Sequence, residues 1–310
     1  GVDYATFRKR GWHGPGTIGP FGAAAAVGRL LDFADGAMAT AFGLAGSQAA
    51  GTFAAWGTPS VKFHQFRGAL SGLMAALLAQ QEFVATRRFL TAEDGGFYST
   101  YCGGGAKDAA TADLGGHWEL EEIALRPAPT SAASQGIVTA LFDLIRRHDL
   151  AAARTKRLRI HVSPATFDAY RNRRSYTGKW EASASLHYTA AVVLHDRELW
   201  MDQFEPGRYD DPALKRYATE CVDLVGHRDL TAEQAIVEAE MNDGSVLSAQ
   251  CKASKGTPEN PLTRAEIEDK FRKGAKDRLA PAAAERAIEI LSHLEDLKSA
   301  RTLMDALRTQ

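Results

Sequence analysis

Gly36 to Val61, GAMATAFGLAGSQAAGTFAAWGTPSV, carries no charged side chain. A stretch this long without charge is either buried in a protein interior or crosses a bilayer. Its residues are mostly Ala and Gly, with Ser47, Gln48, Thr52 and Thr58 spread through them, whereas a span needs sustained Leu, Ile, Val or Phe. The stretch is therefore expected as a buried helix pair whose small side chains allow close approach, not as a membrane segment.

Its neighbours share this character. TIGPFGAAAAVGRLLDFA (17–34), DGAMATAFGLAGSQAAG (35–51) and GALSGLMAALLAQQ (68–81) read as packed helices broken at Gly and Pro. Gly95 to Gly116 contains GG, CGGG and LGG, the signature of a flexible loop and a domain boundary. Beyond it the period changes. WELEEIALR (118–126) and KRLRIHVS (156–163) alternate as strands, and SAASQGIVTALFDLIRRH (131–148) and SASLHYTAAVVLHD (183–196) read as helices. QAIVEAEM and SVLSAQCKA flank Asn242-Asp243-Gly244, a hairpin turn. From Asn260 the pattern is helical again: Thr263 caps AEIEDKFRKGA, and Ile288, Leu291, Leu294 and Leu297 share one helical face.

These readings give an α+β protein: a helical domain begun by residues 1–113, an α+β domain over 114–256, and a helical return to the first domain over 257–310. At 310 residues the chain is long enough for two cores. Lys and Arg number 37 and Asp and Glu 38, a net charge of −1, which argues against general nucleic-acid binding because polyanion binders need a cationic surface. Cys102, Cys221 and Cys251 are too few and too widely spaced for a disulfide framework or a metal knuckle, so a reducing, cytoplasmic location is expected. The start at Gly1, without Met and without a signal-peptide core, reads as processed, tagged or truncated.

Gly14-Pro15-Gly16-Thr17-Ile18-Gly19 matches GxGxxG, with Asp32 and Asp35 at the distance of a ribose-binding acid. The dinucleotide fingerprint must leave a buried strand, and YATFRKRGWH before it has no apolar run, so a nicotinamide-dependent oxidoreductase rests on this weak motif alone. What remains is a glycine-rich turn opening a helix, whose amides at Gly16 and Thr17 could seat an anion. His13 just before it could move protons to or from a bound acid, or could simply bond to the loop backbone. Lys62, His64 and Arg67 form a basic cluster ahead of the 68–81 helix, where cations oppose the macrodipole unless an anion or a structural ion pair sits beside them. No HExxH, GxSxG or Walker A motif occurs, since GGGAK (103–107) lacks the spacing and the following Ser or Thr. No His pair has metal-ligand spacing, so no metal site is expected.

The blocks GWHGPGTIGPFGAAAAVGRLL, AFGLAGSQAAG, KFHQFRGALSGLMAALLAQ and GTPENPLTRAEIEDKFR resemble, in order along nearly the whole chain, those of the MmgE/PrpD family. That family includes 2-methylcitrate dehydratase, cis-aconitate decarboxylase and iminodisuccinate epimerase. The resemblance implies a large helical domain from N- and C-terminal parts, a smaller inserted α+β domain, a homodimer, and acid–base chemistry beside a carboxylate of a small di- or tricarboxylate without metal or organic cofactor. It implies that His13 is the acid/base with Lys62 as its catalytic neighbour, and that His64, Arg67 and Arg126 hold substrate with Gly16 and Thr17. Departures from the family pattern are Ser131 and Gln135 in RPAPTSAASQ (126–135), where the family has histidines, and Ser183 in ASASLHY (182–188), where it has lysine. The family's N-terminal helices, with an Asp- and Thr-bearing site loop, would precede Gly1. Their absence would leave apolar helix faces exposed, and makes a catalytically incomplete binding or assembly subunit, or one completed by a separate N-terminal chain, the rival expectation.

Overall fold

The computed structural model describes residues 4–104, 108 and 111–308. The chain divides into two compact units, Gly1–Trp118 and Glu119–Gln310. Among the described residues the first unit is helical and the second combines helices with one sheet, an α+β protein with a helical domain. Residues 257–310, expected to return to the helical domain, are grouped by their contacts with the second unit.

The first unit contains α1 (Tyr4–Lys9), α2 (Gly14–Thr17), α3 (Gly19–Leu30), α4 (Asp35–Gly46), α5 (Ser60–Gln80) and α6 (Phe97–Cys102). Helix α5 is its axis. Gly68, Ser71, Gly72, Ala75, Ala76 and Ala79 recur at helical spacing and are buried, and α5 packs on α3 and α4. The approach to α3 is so close that a Cβ at Gly72 would lie 2.3 Å from the Pro20 carbonyl oxygen and 2.7 Å from Ala24 N. Gly72→Leu is therefore expected to cost about 2 kcal/mol in chemical denaturation by forcing the helices apart. Ala69→Leu, on the exposed side of the same helix, should stay within about 0.5 kcal/mol.

The opposite face of α5 is apolar too, but uncovered: Phe63, Phe66, Leu70, Leu73, Met74 and Leu77 are exposed, Phe66 by 61%. Beyond its first turns, which carry Lys62, His64, Gln65 and Arg67, α5 is thus apolar on both its packed and its exposed sides. No helix among the described residues is long and apolar enough to cross a membrane. The charge-free stretch is only partly helical, because α4 stops at Gly46 and α5 starts at Ser60. Between them Gly51 and Gly57 adopt positive φ (130° and 86°), which ends regular helix and makes a loop. The Gly95–Gly116 region is not loop throughout either: α6 buries Phe97, Tyr98 and Cys102 against Phe21 and Phe89. Residues 105–107 of GGGAK lie outside the described residues.

The second unit contains α7 (Ala132–His148), β1 (Thr155–Val162), α8 (Pro164–Tyr170), α9 (Lys179–Ala184), α10 (Leu186–Asp196), α11 (Pro206–Tyr209), α12 (Pro212–Glu220), β2 (Val222–Gly226), β3 (Ala235–Met241), β4 (Val246–Cys251), α13 (Arg264–Ala275), α14 (Pro281–Leu291) and α15 (Arg301–Ala306). The sheet order is β2-β1-β3-β4, parallel for β1/β2 and antiparallel elsewhere. Leu158, Ile160, Val162, Val237 and Ala239 point to the buried face, where α7 packs on β3 and β4, and α10 packs on α7 and β2. Arg157, Arg159, Glu238 and Glu240 alternate to the other face, where Arg159 pairs with Glu238 at 3.4 Å. The turn at Asn242–Gly244 joins β3 to β4, and Thr263 and Glu266 form a reciprocal capping box at the start of α13, both as the sequence predicts.

Two local expectations fail. Residues 118–126 are not a strand: Glu119–Glu122 form a 3₁₀ turn, and Leu120 and Ile123 are exposed. A strand needs a neighbour for its backbone groups, and here the sheet is completed without it. Helix α14 ends at Leu291, so Leu294 and Leu297 leave the shared face, after the Ser292 hydroxyl bonds back to the Ile288 carbonyl (2.8 Å). The three cysteines are free thiols.

Candidate active site

The turn that carries His13 is laced to the loop between α4 and α5. His13 N–H donates to the Gly51 carbonyl (3.1 Å), Phe53 N–H to Gly11 (2.7 Å) and Ala50 N–H to Gly16 (3.1 Å), while Trp12 bridges Thr52. Gly16 has to be glycine, since a Cβ there would sit 2.1 Å from the Ala50 carbonyl oxygen. Tyr101 of α6 braces the same loop by donating to the Ala49 carbonyl (2.7 Å), with its ring 4.7 Å from that of Trp12.

The basic cluster does not precede a helix, as the sequence reading has it, but occupies the first two turns of α5, which begins at Ser60. The helix begins at Ser60, after Pro59 in right-handed helical conformation, ahead of its apolar run. This placement brings His64 to His13, with the two Nδ1 atoms 2.8 Å apart. Arg67 is half-buried and donates to the Ser71 hydroxyl (2.6 Å), while Lys62 is exposed. Arg8 of α1 donates to the Trp12 carbonyl (3.2 Å) and lies over the Phe53 ring. Among the described residues none of Arg8, Lys62 or Arg67 is paired with a carboxylate.

His13 is held below the ordinary imidazole range, first by burial and then by its neighbours His64, Arg8 and Lys62. An Nδ1–Nδ1 contact requires one ring to donate and the other to accept. If His13 donates from Nδ1, its Nε2 keeps a free lone pair, the state of a general base.

Gly16 and Thr17 do not offer free anion donors. Their amides donate to the His13 carbonyl (3.2 and 3.3 Å), and the buried Thr17 hydroxyl donates to the same oxygen (3.1 Å). They hold the His13 backbone. The GxGxxG run follows the helix α1 and no strand, which removes the structural context a dinucleotide site requires.

Arg126 belongs to the second unit, where it donates to the Thr130 carbonyl (3.2 Å). Thr130 in turn donates to the Ser183 carbonyl (3.0 Å), so the 126–135 and 182–188 blocks meet. Gln135 donates to the carbonyls of Ala128 (3.3 Å) and Ser131 (3.2 Å), bracing this junction. Tyr170 is buried beside it, its hydroxyl raised by burial and eased back by Ser131, Arg173 and Arg126. A cleft of about 1360 Å³ in the same unit, between α7, residues 250–255 and α13, contains none of the expected site residues. No cluster of three or more His, Cys, Asp or Glu suited to a metal occurs among the described residues.

Sequence reasoning missed Arg8, Phe53 and Tyr170. The YATFRKRGWH run served only to exclude a strand, although its Arg8 acts on His13; nothing in the sequence singled out Phe53 or Tyr170.

The first unit thus presents a pair of imidazoles in contact, beside cations that have no carboxylate partner among the described residues. The MmgE/PrpD N-terminal domain matches residues 2–109 and the MmgE/PrpD C-terminal domain residues 129–296, and the chain belongs to the MmgE/PrpD family. It is 28% identical over 291 residues to the cis-aconitate decarboxylase-like protein oryM of Aspergillus oryzae, covering 87% of this chain and 59% of that protein. It is 25% identical over 312 residues to cis-aconitate decarboxylase of Homo sapiens (96% and 63%) and 26% identical over 292 residues to that of Aspergillus terreus (85% and 58%). The chain spans less than two thirds of the length of these curated relatives.

Proposed function

We propose that this chain acts in a lyase, a dehydratase or decarboxylase, or in an isomerase, on a small di- or tricarboxylate of the cis-aconitate kind. The observation that carries the reading is the His13–His64 contact inside a cluster of cations that, among the described residues, have no carboxylate partners. His13 Nε2 takes or gives the proton beside a substrate carboxylate, and its Nδ1–H stays bonded to His64, which keeps the ring oriented as its charge changes. Lys62 and Arg67 hold carboxylates and stabilise the enediolate that forms when the proton leaves. Arg126 keeps the carboxylate-holding role that the resemblance implies for it. No cofactor is assigned a role. The working assembly is proposed to be a cytoplasmic homodimer.

A second reading, a binding or assembly subunit, is favoured by Ser131, Gln135 and Ser183 at positions where the family pattern has ionisable groups. Ligand stabilisation tests the shared premise. Citrate-like and aconitate-like acids at about a hundred times their Kd should stabilise the folded chain by about 2.7 kcal/mol and raise its Tm, and NAD should leave Tm unchanged. A shift with NAD and none with the acids contradicts both readings. Solvent-deuterium exchange into a stabilising acid then separates enzyme from binding subunit.

A further inference from the structure

We propose that Arg8 is a positioning residue for His13, a clamp whose guanidinium fixes the two groups flanking the imidazole, the Phe53 ring and the Trp12 carbonyl. Its guanidinium carbon lies 3.2 Å from the Phe53 ring centroid, and Nη1 donates to the Trp12 carbonyl at 3.2 Å. Phe53 meets the His13 ring edge-on, 5.6 Å between centroids, and stacks on Trp56 behind it at 5.1 Å. One planar cation therefore ties α1 to the residue before His13 and to the aromatic wall beside it. Lysine could supply the charge but neither the stack nor the fork.

The charged and titratable groups acting on His13 are Arg8 from α1 and Lys62 and His64 from α5; all are cationic or neutral. Arg8 thus adds to the positive potential that disfavours the imidazolium, besides fixing its walls. Its importance for turnover rests on the reading of His13 as the acid/base; its effect on the His13 ring does not.

The test is NMR titration of the His13 imidazole in the full chain, free of ligand. Arg8→Met keeps the aliphatic stem and removes charge, stack and hydrogen bond: the His13 midpoint is expected to rise toward the ordinary value of 6.5. Arg8→Lys should hold the midpoint down while its ring protons shift as Phe53 is released. Exchange of solvent deuterium into a bound polycarboxylate should fall about tenfold in kcat with KM little changed, the pattern of a misplaced catalytic group. An unchanged midpoint together with unmoved His13 ring protons in folded Arg8→Met overturns the proposal. Should Arg8→Met not fold, Arg8→Lys decides: moved ring protons uphold the clamp, and a His13 spectrum identical to the parent's overturns it. If the parent catalyses no exchange, the acid/base reading fails while the titration still judges Arg8.

Discussion

His13→Gln is expected to lower solvent-deuterium exchange into a bound polycarboxylate by about 10²–10⁴-fold while leaving the ligand's affinity within a few-fold, because the amide keeps polar contacts but cannot carry a proton at neutral pH. His64→Gln should cost less, since it removes the partner that orients His13 without removing the base. The asymmetry rests on His13 being the acid/base: the rings meet through their Nδ1 atoms, so the nitrogen His13 offers to substrate is Nε2 and His64 acts through the shared contact. Equal losses from the two variants would mean that the proton travels through both rings. Unchanged exchange in His13→Gln would move the base elsewhere, with Lys62 the next residue to replace.

The second large effect concerns acid stability. His187, on α10, is fully buried, and its imidazole is pushed down to about 4, chiefly by burial and then by Arg174, with Asp223 working the other way. In the unfolded chain the same group titrates near 6.5, so between about pH 6.5 and 4 the unfolded state binds a proton that the folded state refuses. The contribution is full above 6.5 and is lost as pH falls, reaching about 3 kcal/mol once the folded group also protonates. Denaturation of the parent at pH 7 and pH 4 should show the loss, and His187→Gln should remove most of it. An identical acid profile in that variant would place the sensitivity in another group.

Much of the architecture can be read from side-chain patterning. The alternation in KRLRIHVS, the Asn-Asp-Gly turn and the Thr263–Glu266 capping box each encode their structure locally, and each forms. WELEEIALR alternates equally well and forms no strand, because strand pairing depends on a neighbour the local sequence does not specify. The start of α5 was hidden by its composition: Lys62, His64 and Arg67 interrupt the apolar run, yet they lie within the helix and so reach the His13 turn. The glycine-rich turn and the basic cluster single out His13 and His64 separately, but their direct contact depends on Gly51, where a side chain would press on the His64 ring at 3.1 Å. Gly16 and Thr17 illustrate the converse error: a glycine-rich helix start promised free amides, and the turn consumes them on the His13 carbonyl.

The central claim is that a polycarboxylate and the His13 imidazole share one site, and a His13 titration followed by NMR with and without a saturating aconitate-like acid addresses it directly. In the free chain the midpoint should lie below 6.5. With the acid bound it should rise, because carboxylates screen the cations Arg8 and Lys62 and favour the imidazolium beside them. A bound acid that leaves the His13 midpoint where it was would place the ligand away from the imidazole pair and contradict the account.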